Sequence, residues 1–163
     1  MPSTTLPCPC GTSLSFEQCC QPLILNKHRL DKQIATNPES LMRSRFTAYL
    51  LEDYDYILAT YGPKQRITLS VTELEQSAAG TKWLKLVIHA SSHVGLNAKV
   101  EFSAYYQSEQ QFYVLHETSD FTCENAQWYY TTGIIHKDSG PYVQQRNDQC
   151  LCNSGKKYKK CCG

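Results

Sequence analysis

The sequence has no apolar run near the roughly 18 residues that a membrane-spanning helix requires. A stretch such as Leu86-Val87-Ile88 has only the length of a strand. The opening residues, Met-Pro-Ser-Thr-Thr-Leu-Pro-Cys8, contain neither a basic segment nor an apolar one, so they do not read as a secretory signal, and the expected location is the cytosol. Acidic residues are missing from Cys150 onward, where Lys156, Lys157, Lys159 and Lys160 stand. The whole chain of 163 residues carries a formal charge of only +1, so the rest is net acidic and only the tail is basic. No module for reading nucleic-acid bases accompanies those lysines, and no nucleophile–base pair can be named from spacing.

What the sequence does have is cysteine. There are nine in a chain long enough to bury one ordinary core with small appendages. Eight of them form a repeated pattern: Cys8, Cys10, Cys19 and Cys20 at one end, and Cys150, Cys152, Cys161 and Cys162 at the other. In both sets eight residues separate a Cys-x-Cys pair from a Cys-Cys pair. Without an export signal, a reducing compartment argues against disulfides. Adjacent cysteines also have Cα atoms only about 3.8 Å apart, below the roughly 4.4–6.8 Å that a disulfide prefers. A tetrahedral zinc site needs four soft ligands around one ion, which two close pairs joined by a short loop supply. Two structural zinc ions are expected, with free thiols or disulfides as the alternative. All-thiolate sites leave no open position for substrate. Gly11 and Asn153, directly after the first pairs, are residue types that accept φ > 0 in a turn around an ion.

The pattern Cys-x-Cys-x8-Cys-Cys, enclosing Asn153-Ser-Gly-Lys-Lys-Tyr-Lys-Lys160, resembles the SEC-C motif of the preprotein-translocation ATPase SecA. Leu151 and Asn153 replace the usual proline and glycine of that motif. The N-terminal copy keeps Pro9 and Gly11 but lacks the lysines. Since the SecA tail binds the export chaperone SecB and has been linked to ribosomes, the resemblance implies a protein partner contacted through the tail lysines. RNA phosphates are the weaker alternative.

Between the two ends, Gln21 to Thr36 reads as a connector with a short apolar start at Leu23–Leu25. Asn37-Pro38-Glu39 signals a helix start. Met42, Phe46, Tyr49 and Leu50 give that helix a buried face to about Leu51, and Tyr54, Ile57, Leu58 and Tyr61 mark a second helix. Ser70-Val-Thr-Glu73 is a capping box for a third, ending at Gly80. Period-two rows follow on four strands, around Leu84–Ile88, Val100–Tyr106, Phe112–His116 and Trp128–Thr131, with Ile134-Ile135 continuing the last. The segments 91–97 and 107–111 read as short antiparallel links. Helices first and a meander afterwards mean α+β, with helices packed on a curved antiparallel sheet. The apolar rows of Met42 to Ile135 stand on their own, so metal removal is expected to loosen the ends before the core.

This order of elements, with Met42-Arg-Ser-Arg45, Ala48-Tyr49, Val100-Glu-Phe102, His116-Glu117, Ser119, Phe121, Trp128-Tyr-Tyr130 and Gly133, resembles the bacterial YchJ family. The resemblance implies SEC-C motifs at 1–25 and 149–163 around a cystatin-like cone of the nuclear-transport-factor-2 type at 26–148. It brings no established activity. It therefore favours a zinc-binding, non-catalytic adaptor, the alternative being a cone that binds or transforms a small molecule.

The candidate pocket residues are His116, Glu117 and Trp128, with Glu101, Tyr105 and Asp120 nearby. His116 shares parity with Phe112 and Val114 and is expected to face the interior as a hydrogen-bonded core residue. Glu117 and Glu101 are expected on the opposite, solvated face or paired with arginine, and Arg43 and Arg45 at the surface or rim. Cys123, in the polar stretch 120–125, is expected to be an exposed structural thiol between strands.

Overall fold

The computed structural model describes residues 6–25 and 35–163. Most of the expected connector, 26–34, lies outside the described residues; its start forms helix α1, Gln21–Leu25.

Local chemistry sets the helices that follow. Helix α2, Pro38–Leu50, opens on a reciprocal cap in which Asn37 Oδ1 accepts from Ser40 N–H at 2.8 Å and Ser40 Oγ lies 3.4 Å from Asn37 N. Helices α3 (Tyr54–Thr60) and α4 (Pro63–Arg66) follow, and α5 (Val71–Ala78) begins on the Ser70/Glu73 capping box. The α4 turn is absent from the sequence reading because four residues carry no periodicity.

The sheet is a meander of long antiparallel strands: β1 (Lys82–Val94), β2 (Asn97–Ser108), β3 (Gln111–Glu124) and β4 (Gln127–Ile135). Two-residue turns join them, with φ > 0 at Gly95, at Glu109 and Gln110, and at Asn125 and Ala126. Paired positive φ values are those of type I′ hairpins, whose twist matches that of the strands. The expected link at 91–97 is thus mostly strand, because β1 pairs with β2 as far as Val94↔Asn97. Cys123 likewise lies within β3, opposite Trp128, half-buried rather than exposed.

After β4 the chain bulges at 136–139 and resumes the same track as β5, Gly140–Pro141, opposite Tyr113 and Val114. Ser139 Oγ bridges the gap, accepting from His116 N–H at 2.9 Å and donating to His116 O at 3.0 Å.

Helix α2 is buried on two sides. Toward the sheet, Leu41, Met42 and Phe46 join Leu86, Val100, Phe102, Ala104 and Phe121. Away from it, Ala48 packs with Tyr56, Ile57, Leu74 and the first cysteine cluster. Small polar residues serve this second face: the Ser44 and Tyr56 hydroxyls lie 2.6 Å apart, and Thr47 Oγ1 donates to Cys20 Sγ at 3.4 Å. Of the row expected to be buried, Met42, Phe46 and Leu50 pack on the sheet side and Tyr49 on the second, whose small residues Ser44, Thr47 and Ala48 leave no apolar period.

Both outer strands are met by other segments over a short stretch. Gly62 N–H donates to Tyr130 O at 2.8 Å along β4. On β1, Asn153 Nδ2 donates to Leu84 O at 2.7 Å, and Gly11 lies against Leu86 O so closely that an added Cβ would sit 3.3 Å away. The two cysteine-rich ends therefore meet carbonyls of one edge strand near its start, while residues 89–94 of that strand are exposed.

Candidate metal centres and cavity

The two cysteine loops share one backbone solution. Cys8 N–H donates to Leu14 O, and Cys150 N–H to Lys156 O, six residues on in each case. Gly11 N–H reaches Cys8 O at 3.1 Å, and Asn153 N–H reaches Cys150 O at 3.2 Å. Gly11 (φ 86°) and Asn153 (φ 60°) hold the left-handed conformation expected of them. A 3-10 turn, Phe16–Gln18 or Tyr158–Lys160, then delivers the Cys-Cys pair.

Four Sγ atoms converge in each loop, all within 4.8 Å of one another. Cys10–Cys19 and Cys19–Cys20 Sγ separations are 3.6 and 3.9 Å; Cys152–Cys161 and Cys161–Cys162 are 3.4 and 3.8 Å. Four sulfurs about 2.3 Å from one zinc would lie about 3.8 Å apart, so the spacing suits a tetrahedral ion. A hydroxyl supports the third thiol in both cases, Thr12 Oγ1 on Cys19 and Ser154 Oγ on Cys161, each at 3.2 Å. One thiol per loop is poised to ionise. Hydrogen bonds from Cys20 and Cys8 hold Cys10 far below the usual thiol range, while Cys20 is pushed far up by those with Cys10 and Cys8. Ser154, then Cys161, lowers Cys152 to about 6, and Cys162, bonded first to Cys150, rises to about 12.

The surroundings of the two loops differ. Cys8, Cys10 and Cys20 are at most 4% exposed and belong to the core behind α2, where Arg43 Nη1 also donates to Cys10 O at 2.7 Å. At the other end only Cys150 and Leu151 are buried; Cys152, Cys161 and Cys162 are exposed, as are all four tail lysines.

A separate cavity of about 260 Å³ lies between α2, α5 and the sheet, lined by Arg45, Tyr49, Trp83, Glu117, Ser119 and Tyr130 among others. Here the strand register corrects the expected faces. Phe102 pairs with Glu117 and Val100 with Ser119, so Leu115, Glu117, Ser119 and Phe121 point inward, while His116 lies opposite Ser103 on the outer face. Glu117 is accordingly buried, and its Oε1 accepts from Ser119 Oγ at 2.7 Å and Tyr130 Oη at 3.0 Å. Burial, then the Glu117 charge, pushes the Tyr130 phenol above its ordinary range.

Arg45 is 3% exposed, not a rim charge. Its guanidinium lies over the corner made by the rings of Tyr61 and Tyr130, which pack edge-to-face, 4.6 and 4.4 Å from their centroids, and Nη1 donates to Thr60 Oγ1 at 2.6 Å and Ile57 O at 3.2 Å. Arg43, by contrast, pairs at the partly exposed rim with Glu39 at 2.9 Å. Trp128 does not line the cavity; it packs on the main core and edge-on to His93. Asp120 pairs with Lys99, and Tyr105 packs against Tyr142 on the outer face.

Gly133 faces Ser119 across β3 and β4, and a Cβ on it would collide with the Glu117 carboxylate. Gly133→Ala is expected to expel that carboxylate from its two hydroxyl donors and to cost about 1–3 kcal/mol by overpacking. Urea unfolding checks the cost.

Comparisons with known proteins agree with this layout. The family described as "YchJ, middle NTF2-like domain" matches residues 37–133, and the SEC-C motif matches 146–163. A UPF0225 protein of Pectobacterium carotovorum is 40% identical over 161 residues, covering 96% of this chain and 97% of its own. One from Vibrio parahaemolyticus is 38% identical, covering 96% and 98%. The solution structure of a SEC-C motif containing protein from Rhodopseudomonas palustris superposes with a TM-score of 0.73 at 31% identity, over 80% of this chain and 98% of that one. The crystal structure of a sec-c motif containing protein from Psychrobacter arcticus gives 0.69 at 29%, over 95% and 94%. Among the described residues no helix is long and apolar enough to cross a membrane.

Proposed function

The chain belongs to the YchJ family, its relatives bearing the name UPF0225, and from that premise we propose that it is a cytoplasmic, non-catalytic adaptor stabilised by two zinc ions. The reading divides the chain into an N-terminal knuckle (1–25), a cone (26–148) and a C-terminal knuckle (149–163). Cys8, Cys10, Cys19 and Cys20 hold one ion, and Cys150, Cys152, Cys161 and Cys162 the other. The C-terminal knuckle docks on an acidic protein surface.

One observation carries this reading: the same fold of loop is used twice, once with its thiols sunk into the core and once with thiols and lysines in solvent. A purely structural clamp has no use for the second arrangement. The likeness to the SecA tail favours a protein over RNA, and no base-reading module accompanies the lysines. Replacing Lys156, Lys157, Lys159 and Lys160 by alanine is expected to abolish salt-sensitive capture of a protein partner from lysate, with zinc content and melting temperature unchanged. Undiminished capture would contradict the reading.

The cavity supports a second reading, a small-molecule site. Arg45, Trp83, Glu117 and Tyr130 line a space of about 260 Å³ that joins apolar walls to a few polar groups, the composition of a ligand pocket. A compact ligand with an apolar body against Phe46 and Trp83 and one polar group toward Glu117 or Tyr130 would suit it. Such a ligand should quench or shift Trp83 fluorescence and raise the melting temperature. Glu117→Gln should alter that response, and His116→Ala, on the opposite face, should not. A metabolite screen without any response would remove this reading.

A further inference from the structure

On the outer face of the sheet His116 stands between two carboxylates. Its Nδ1 lies 2.8 and 3.0 Å from the two oxygens of Asp138, and its Nε2 lies 2.9 Å from Glu101 Oε1. A carboxylate only accepts, whereas a neutral imidazole has a single N–H to donate. Both bonds form together only with an imidazolium, or with a neutral ring facing a protonated carboxyl. Exposure decides between these. The Glu101 and Asp138 side chains are 36% and 71% exposed and stay hydrated as anions, while the His116 side chain between them is 16% exposed. The extra proton therefore belongs to the ring.

The groups packed against the ring agree with one cation at this position. From β1, His89 is edge-on to His116 at 5.4 Å and is tied through Nε2 to Ser103 Oγ at 2.8 Å. From beyond β4, His136 stacks on His116 with centroids 3.9 Å apart and planes 9° off parallel, its Nε2 lying 2.8 Å from Thr118 Oγ1. Two parallel rings this close do not favourably carry two charges, and the carboxylates bond His116 at both nitrogens. Further along the face Lys99 pairs with Asp120. The bond to Glu101, then that to Asp138, raises His116 above the ordinary histidine range, and the same bonds hold both carboxyls below theirs.

The ring holds a thin join in the chain. β4 ends at Ile135, and the 136–139 bulge interrupts pairing before β5 adds two residues opposite Tyr113 and Val114. Across the bulge the backbone is tied to β3 by His136 N–H on His116 O at 2.8 Å and by the two Ser139 bonds, and beyond it by Tyr142 N–H on Phe112 O at 2.8 Å. Asp138 adds the ionic bond. From Tyr142, whose ring meets Tyr105 at 5.0 Å, the chain leads into the C-terminal knuckle.

We propose that His116 is a pH-operated clasp: as an imidazolium it locks the 136–142 segment onto the sheet, and on losing its second ring proton it lets that segment go. Deprotonation leaves a ring lone pair facing a carboxylate oxygen, which is repulsive. The closed state holds the proton more tightly than the open one, and this fixes the sign. The join is fully stabilised below the ordinary histidine value of about 6.5, and the stabilisation is lost as pH rises through the higher value of the closed state. Alkaline solution therefore leaves the C-terminal knuckle with fewer ties to the cone. No residue of the clasp lies in either knuckle, so it stands independently of the adaptor reading.

The test uses the full chain with both knuckles loaded with zinc. Histidine ring nitrogen resonances and the exchange protection of the His136 and Tyr142 amides are followed from about pH 5 to about pH 9, across the ordinary histidine value of about 6.5. We expect His116 to keep protons on both nitrogens past that value, and the protection of the two amides, corrected for intrinsic exchange, to fall with the same midpoint. The fall should be about tenfold for each unit of pH by which the His116 midpoint exceeds that of a free histidine. Asp138→Asn and Glu101→Gln should each lower the midpoint and remove part of the fall. A His116 midpoint at or below about 6.5 would overturn the proposal. So would a titration that leaves both amides equally protected throughout. The wild-type measurement decides even if a variant folds poorly.

Discussion

Cys20→Ser is expected to destabilise the whole protein by about 4 kcal/mol or more, lowering the melting temperature by roughly 10 °C, whereas Cys162→Ser costs less than about 1 kcal/mol. The two serines remove the equivalent ligand from two like loops. The difference comes from what lies beneath each one. Cys20 is 1% exposed, bonded to Thr47 on α2, and shares a cluster with Ile24, Ala48, Tyr56 and Ile57, so losing its ion unpacks a layer of the core. Cys162 is exposed on a loop attached at the surface through Leu151, the Asn153–Leu84 bond and Tyr158 on Phe112, so little of the core depends on it. This revises the expectation that both ends loosen ahead of the core. The N-terminal knuckle is expected to melt with the core and the C-terminal one ahead of it. Thermal and urea unfolding of the two zinc-loaded variants measure it, and equal losses would contradict the distinction.

Arg45→Ala is expected to cost about 3–5 kcal/mol, the range for removing one member of a buried charged group. It deletes the bonds to Thr60 and Ile57 O and two ring contacts. The buried Glu117 carboxylate, which shares Tyr130 with the guanidinium, then loses that neighbouring positive charge. Arg45→Lys should recover only a minor part, because a compact ammonium cannot cover both tyrosine rings while also bonding Thr60 and Ile57 O. Urea unfolding of both variants checks this, and a loss below about 1 kcal/mol for Arg45→Ala would mean that the arginine is not integral to the core.

The knuckles were legible because ligand spacing is a local property: the Cys-x-Cys and Cys-Cys pairs, Gly11 and Asn153 carry their geometry in a dozen residues. The caps at Asn37 and Ser70 were legible for the same reason. The inward face of β3 was not. Phe112 and Val114 suggested one parity, yet Phe112 is covered from outside by Tyr158 at 6.2 Å and Val114 lies beside β5. The true inner row carries Glu117 and Ser119, whose polarity is satisfied by Tyr130 and by each other. Arg45 misled likewise, since its two tyrosine partners come from α3's end and β4, far away in sequence. The meeting of His136 and Asp138 with His116 depends on the 136–139 bulge, which leaves no periodic trace.

The central claim is that two like metal knuckles play unlike parts, one as core and one as presented surface. Stepwise chelation with zinc release counted per chain tests it most directly. Protein freed of loosely held ions should carry close to two zinc ions, release one to a strong chelator while the melting temperature barely moves, and yield the second only as the core unfolds. Fewer than two tightly held ions, or both leaving together in a single phase, would contradict the account.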